Sequence, residues 1–165
     1  LSVVLIVSST LQAQDPEKKL KELGIELPVV SKPVANYVNA VRVGNLLFLS
    51  GKGPSKNGVY ITGKLGSELE IEQGQEAARL TAIIQLATLK AEIGDLNKVK
   101  RIVKVLGMVN ADPTFKDHPK VINGFSDLIE SVFGEKGKHA RSSVGMCSLP
   151  FNMAVEIEMI VELEE

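Results

Sequence analysis

The sequence is poor in the residues that most often mark a cofactor, a disulfide framework or a nucleic-acid surface. It has one cysteine, two histidines, no tryptophan and 4% aromatic residues in 165. A lone thiol, Cys147, excludes an intrachain disulfide, and its position within a strand reads as a small buried hydrophobe. His118 and His139 stand apart, and no C-x-x-C or H-E-x-x-H spacing occurs, so no zinc motif is present. Lys and Arg total 19 against 20 Asp and Glu, a net charge of −1. Neither a phosphate backbone nor an anionic membrane would meet an attracting field, and few aromatics are available for base stacking. The Gly51-Lys52-Gly53-Pro54 stretch lacks the order of a phosphate loop.

What is present, 44% hydrophobic and 24% charged residues, suffices for one core and one domain. The opening LSVVLIVSSTLQAQ is apolar and then small and polar, as in the hydrophobic region and cleavage site of an export signal. It is well short of the ~20 residues that cross a bilayer. The expectation is a truncated precursor cut after Ala13 and exported to the periplasm or medium, with no membrane contact afterwards. The alternative is a buried N-terminal strand. Residues 14–36 then form an extension with a short amphipathic helix carrying Leu20 and Leu23, packed on the outside, and residues 37–165 form the domain.

Within that domain the periodicities alternate between strand and helix. Asn39 to Val43 and Leu46 to Ser50 flank Gly44-Asn45 as a hairpin, and a second hairpin turns at Lys56-Asn57-Gly58. A long helix spans Ile71 to Ile93, with Ala77, Leu80, Ile84, Ala87 and Ala91 as its apolar stripe and Gly94 as its stop. Val99 to Val109 is a strand expected to face Val99, Arg101, Val103, Val105 and Gly107 one way, and Lys100, Ile102, Lys104 and Leu106 the other. Its bases, with Lys98, read as a solvated face.

A second helix runs from Pro119 to Phe133, burying Val121, Phe125, Leu128, Val132 and Phe133. A strand follows from Ala140. From Val155 the chain alternates strictly, with Val155, Ile157, Met159 and Val161 separated by Glu156, Glu158, Ile160 and Glu162. The β-α-β unit formed by the strand from Val99, this helix and the strand from Ala140 must pair its strands in parallel if they share a sheet. The fold class is therefore α+β, a mixed sheet with two helices on one face. The uncovered face carries Ile102, Leu106 and Ile160 among charges, which implies an oligomer.

Several residues have two readings. Arg141 is either a surface ion-pair partner or a planar fork for a carboxylate. Glu156 and Glu158 are either a solvated row or a carboxylate that positions water. The glycine corner at Gly51 is either a plain turn or a place where a ligand meets backbone.

The stretches Ala40 to Gly51, Val99 to Val105, Ala140 to Val144, and Leu149-Pro150 followed by Val155 to Glu158 narrow the choice. In this order and spacing they resemble the Rid proteins, also called YjgF-like and once labelled perchloric-acid-soluble endoribonucleases, over Tyr37 to Glu162. The resemblance implies a chorismate-mutase-like fold, a homotrimer and ligand clefts between subunits. It implies that Arg141 binds the carboxylate of a 2-imino or 2-enamino acid and that Glu156 orients the water that releases a 2-oxo acid and ammonia. Tyr37, Gly51 and Ser143 match positions lining the cleft. No cofactor or metal is expected, because an imine is already electrophilic. Lys52-Gly53-Pro54 stands where the better-known deaminases have Gln-Ile-Pro, which adds Lys52 as a cation at the substrate-binding edge.

If the strands around Leu149 to Asn152 pair as a hairpin, Arg141 falls opposite Ile160 and Glu156 lies about 13 Å along the strand. A neighbouring subunit would then supply one of the two. Three functions follow: an imine deaminase, a trimeric carboxylate-binding or chaperone-like module without turnover, and a ribonuclease, which the charge and aromatic content favour least.

Overall fold

The strand from Val155 to Leu163 becomes the middle of the sheet. In the computed structural model, which describes residues 14–30 and 36–165, the strands are β1 (Ala40–Val43), β2 (Leu46–Lys52), β3 (Ser55–Lys56), β4 (Val59–Tyr60), β5 (Val99–Asn110), β6 (Ala140–Met146) and β7 (Val155–Leu163). The helices are α1 (Pro16–Glu22), α2 (Ile71–Ile93) and α3 (His118–Phe133). The main sheet has the order β1-β2-β7-β5-β6, and β3 and β4 form a separate hairpin. Only β5 and β6 are parallel, as the α3 crossover demands. The proposed export signal lies outside the described residues. No helix among the described residues is long and apolar enough to cross a membrane.

The alternation in β7 appears as written, with Val155, Ile157, Met159, Val161 and Leu163 buried against the helices and Glu158 exposed on the other face. Three expectations about neighbouring elements are corrected. First, β6 and β7 do not pair as a hairpin. They flank β5, so Arg141 pairs with Val105, whose partner on β7 is Met159 and not Ile160. The connection has to leave the sheet plane because β5 already occupies the edge of β7 that a hairpin would use.

Second, β5 is not one regular strand. Its register shifts between Val99 and Arg101 and again between Ile102 and Lys104, leaving Lys100 and Val103 as extra residues. Each bulge flips the alternation. Val99, Ile102, Val105 and Val109 are therefore buried, and Ile102 belongs to the core and not to the open face. Lys100 and Arg101 instead reach Glu162 at 2.7 and 3.3 Å, and Lys104 donates to Ser142 Oγ at 2.8 Å. The basic cluster is a solvated, paired surface of small energetic weight.

Third, α2 is rotated from its expected stripe. Ala77 and Ala87 of that stripe are buried, but so are Gly74, Ala78, Thr81, Ala82, Gln85, Leu86, Thr88 and Leu89, while Leu80 and Ile84 are half-buried and Ala91 is exposed. The physical cause is close packing. A Cβ on Gly124 of α3 would run into the Gln75 carbonyl oxygen of α2, so small side chains face inward where these helices meet. α3 buries Val121, Ile122, Phe125, Leu128, Ile129, Val132 and Phe133 along the expected stripe.

The arm before β1 packs on the outside of the helical layer. Asp15 caps α1 through Glu17 N and Lys18 N, Gln14 Nε2 donates to the carbonyls of Ser131 and Val132, and Glu17 meets Lys90 at 2.6 Å. Leu20 enters the core, whereas Leu23 stays exposed. Cys147 is also exposed, contrary to expectation, because β6 ends at Met146 and the chain turns outward there.

The buried Gln85 has a definite task. Between the pairs Leu49–Met159 and Lys52–Ile157 the β2 register shifts, a bulge that leaves carbonyls without ladder partners. Gln85 Nε2 donates to the carbonyl oxygens of Ser50, at 3.0 Å, and Ile157, at 2.7 Å. Gln85→Met keeps the volume and removes the donor, so we expect a loss of about 2–3 kcal/mol in urea unfolding. A loss below about 0.5 kcal/mol would show that water serves these carbonyls equally well.

On the sheet face away from α2 and α3, Val41, Val43, Phe48, Val144 and Met146 are exposed on three strands, β1, β2 and β6, and no element among the described residues covers them.

Candidate functional site

The β2 bulge opens the cleft. Beyond it the chain continues as Gly51-Lys52-Gly53, and a cleft of about 530 Å³ lies between this corner, the residues before β1, α2, the β3–β4 hairpin and the loop from Pro150 to Met153. Tyr37, Gly51, Lys52 and Glu156, all named from the sequence, line it together.

Gly51 is there because Glu156 is. A Cβ at position 51 would collide with Glu156 Oε1, so only glycine lets the carboxylate lie over the strand. The Glu156 carboxylate has neither a hydrogen bond nor an ion pair among the described residues. Partial burial pushes its pKa up from the usual carboxylate range, and the neighbouring charge of Glu158 adds to the rise. A carboxylate with unfilled acceptor positions, facing a cleft, can hold a water and take its proton.

Lys52 lines the cleft from the helix side of the sheet, as do Ile84 and Thr88 of α2. Its Nζ donates to Asn39 Oδ1 at 2.6 Å, and burial lowers its pKa, opposed by the charge of Glu92 on α2. Opposite stands an aromatic rim in which Tyr60 and Phe151 stack with ring centroids 5.8 Å apart and planes 7° from parallel. Phe151 remains 78% exposed, held out by a left-handed backbone at Phe151 and Asn152, φ 54° and 56°. Asn110 Nδ2 pins this loop by donating to Asn152 Oδ1 at 2.9 Å.

Arg141 and Ser143 are elsewhere. They lie on β6 at the opposite edge of the sheet, on the side of α3. Arg141 makes no ion pair among the described residues. Its Nη1 donates to Asn123 Oδ1 and Ser126 Oγ, each at 3.0 Å. Ser126 in turn meets His139 Nε2 at 3.0 Å, while His139 Nδ1 meets the Gly137 carbonyl at 2.6 Å. A carbonyl only accepts, so Nδ1 carries the hydrogen, Nε2 accepts from the Ser126 hydroxyl, and Ser126 accepts from the arginine. Burial lowers the His139 pKa, as does the nearby Arg141 charge, while the Gly137 carbonyl opposes them. A neutral His139 suits this chain of donors.

The guanidinium is thus held by neutral groups at one nitrogen, leaving Nη2 and Nε to bind a planar anion. Ser143, one pleat further, has a buried hydroxyl without a hydrogen-bond partner among the described residues. Asn39, Tyr60, Ile84 and Phe151 in the cleft, and Asn123 and Ser126 behind the arginine, are not singled out by the sequence. The only mark of the last two is a polar pair three residues apart within an amphipathic helix. Among the described residues no group of three or more His, Cys, Asp or Glu could hold a metal.

A domain with this sheet, two helices on one face and an isolated arginine on a sheet edge defines a class. The family model described as "YjgF/chorismate mutase-like, putative endoribonuclease" matches residues 17–163. The chain belongs to this family, the YjgF or Rid proteins. It is 47% identical over 146 residues to Protein TCP17 of Trypanosoma cruzi, covering 87% of this chain and 91% of that one. It is 30% identical to the 2-iminobutanoate/2-iminopropanoate deaminase of Dermatophagoides farinae, covering 85% and 95%. Among solved structures, Atu1372 of Agrobacterium tumefaciens, of unknown function, superposes with a TM-score of 0.84 at 47% identity, covering 90% of this chain and 93% of that one.

Proposed function

We propose that the protein hydrolyses small 2-imino or 2-enamino acids to 2-oxo acids and ammonia, in clefts between the subunits of a homotrimer. One observation carries the reading: Arg141 is a positioned guanidinium with open donors and no carboxylate to satisfy it, at a sheet edge remote from its own chain's cleft. A neighbour's Arg141 entering the cleft would bind the substrate carboxylate bidentately. Ser143 would offer its unpartnered hydroxyl alongside.

Water held by Glu156 adds to the imine carbon, its proton passing to the carboxylate. The carbinolamine formed from the protonated imine takes that proton on nitrogen, and its hydroxyl proton passes to Glu156 as the C–N bond breaks, releasing the 2-oxo acid and ammonia. The open apolar sheet face with Val41, Val43 and Phe48 supplies the surface for assembly. The deaminase of D. farinae, 30% identical, supports the same chemistry by analogy. A ribonuclease is disfavoured because Lys100 and Arg101, which could track a phosphate backbone, are spent on Glu162.

The direct test generates 2-aminoacrylate in a coupled assay and compares the native chain with Arg141→Ala. We expect acceleration by the native protein and a loss of roughly a thousandfold in kcat/KM for the variant. Absence of acceleration by the native chain would reject the enzyme reading, and carboxylate binding without turnover would establish a binding module.

A further inference from the structure

We propose that Lys52 reads a second anionic group of the substrate, so that the cleft prefers 2-imino acids carrying a side-chain carboxylate to monocarboxylic ones of equal length. The inference rests on the reading above for the reaction, and on the cleft itself for the charge.

Lys52 lines the cleft half-buried, yet among the described residues no carboxylate lies within ion-pair distance of it. Its hydrogen-bond acceptor is the uncharged Asn39 Oδ1, which occupies one of three ammonium hydrogens. Glu156 does not serve it. Lys52 pairs with Ile157, whose side chain points toward the helices, whereas Glu156 leaves the sheet on the other face beside Gly51. Glu92 acts on it only at longer range.

A cation that has given up part of its hydration and gained no anion is stabilised by one supplied from outside. Ile84 and Thr88 of α2 line the same cleft and can carry the methylenes that separate two carboxylates. A cleft of about 530 Å³ lies in the range that takes ligands well above a three-carbon imino acid. With Arg141 of a neighbour on the 2-carboxylate, Lys52 is left for the distal one. A single ammonium suits a carboxylate better than a phosphate, which recruits several donors.

Stable 2-oxo acids serve as probes. By calorimetry at fixed ionic strength, 2-oxoglutarate should bind the native protein at least about tenfold tighter than 2-oxopentanoate. Lys52→Met should bring that ratio near one, Lys52→Glu should invert it, and Lys52→Arg should keep it above one, which separates charge recognition from misfolding. Equal affinities in the native protein, or a ratio that survives Lys52→Met, would overturn the proposal. Turnover of the matching imines, released by an amino-acid oxidase from glutamate and from 2-aminopentanoate, distinguishes the two readings. Preferential binding without turnover rejects the deaminase and keeps Lys52 as the anion reader. Turnover without preference keeps the deaminase and rejects Lys52.

Discussion

Co-assembled Arg141→Ala and Glu156→Ala chains, each inactive alone, are expected to recover about a quarter of native activity, the fraction of clefts in which an intact arginine meets an intact glutamate across a cyclic interface. The geometry of one chain requires this if both residues act on one small molecule. Arg141 is on β6 and Glu156 on β7, with β5 between them. Arg141 pairs with Val105 and Glu156 with Met108, so the two are staggered by about 10 Å along the strands and about 10 Å across them. They also leave the sheet on opposite faces, since Val105 is buried under the helices and Met108 alternates away from it. The measurement is kcat/KM of mixtures refolded or co-expressed at equal ratio, with light scattering to count subunits. Absence of recovery in mixed oligomers would place the two residues in separate functions.

Glu156→Gln should lower kcat/KM by roughly a hundred- to ten-thousandfold while leaving the fold at least as stable at neutral pH. The sign follows from its pKa. Burial, then the charge of Glu158, raises the folded value above 4.5, so the folded state favours the protonated carboxyl. That contribution to stability is fully present below the unfolded value and is lost as pH rises through the folded one. At pH 7 the charged carboxylate is a net cost, which the neutral amide removes. Denaturation midpoints at pH 7 and pH 4 check this: the variant should match or exceed the native chain at the higher pH and lose any advantage at the lower.

Activity runs the other way, because only the ionised form takes a proton from water, so native kcat/KM should fall as pH drops through the raised pKa. Arg141→Ala should keep that acid limb in its residual rate, and Glu156→Gln should lack it. A variant less stable than the native chain at pH 7 would mean that the fold uses the Glu156 charge, and that it is not held in reserve for chemistry.

Much of this architecture could be read in advance because it is local. The limits of α2, the amphipathic stripe of α3, both hairpin turns and the alternation of β7 depend on neighbours along the chain. What failed was phase and pairing. Lys100 and Val103 look like ordinary strand residues, yet each is an extra residue that reverses the faces after it, which is why Ile102 is buried. The stripe of α2 was ambiguous because the helix is apolar on more than one side, and the approach of Gly124 to Gln75 chose between them. Gln85 had no visible reason to be buried until the β2 bulge supplied two carbonyls for it.

By itself, then, the sequence determined the helices, the strands, the family and the candidate site residues, since these rest on periodicity and on ordered motifs. Tertiary structure alone decided where those residues lie. It gathered Tyr37, Gly51, Lys52 and Glu156 around the bulge and put Arg141 on the far edge, held by Asn123 and Ser126. Strand order is set by hydrogen bonding between distant segments, and no local pattern records that β5 inserts between β6 and β7.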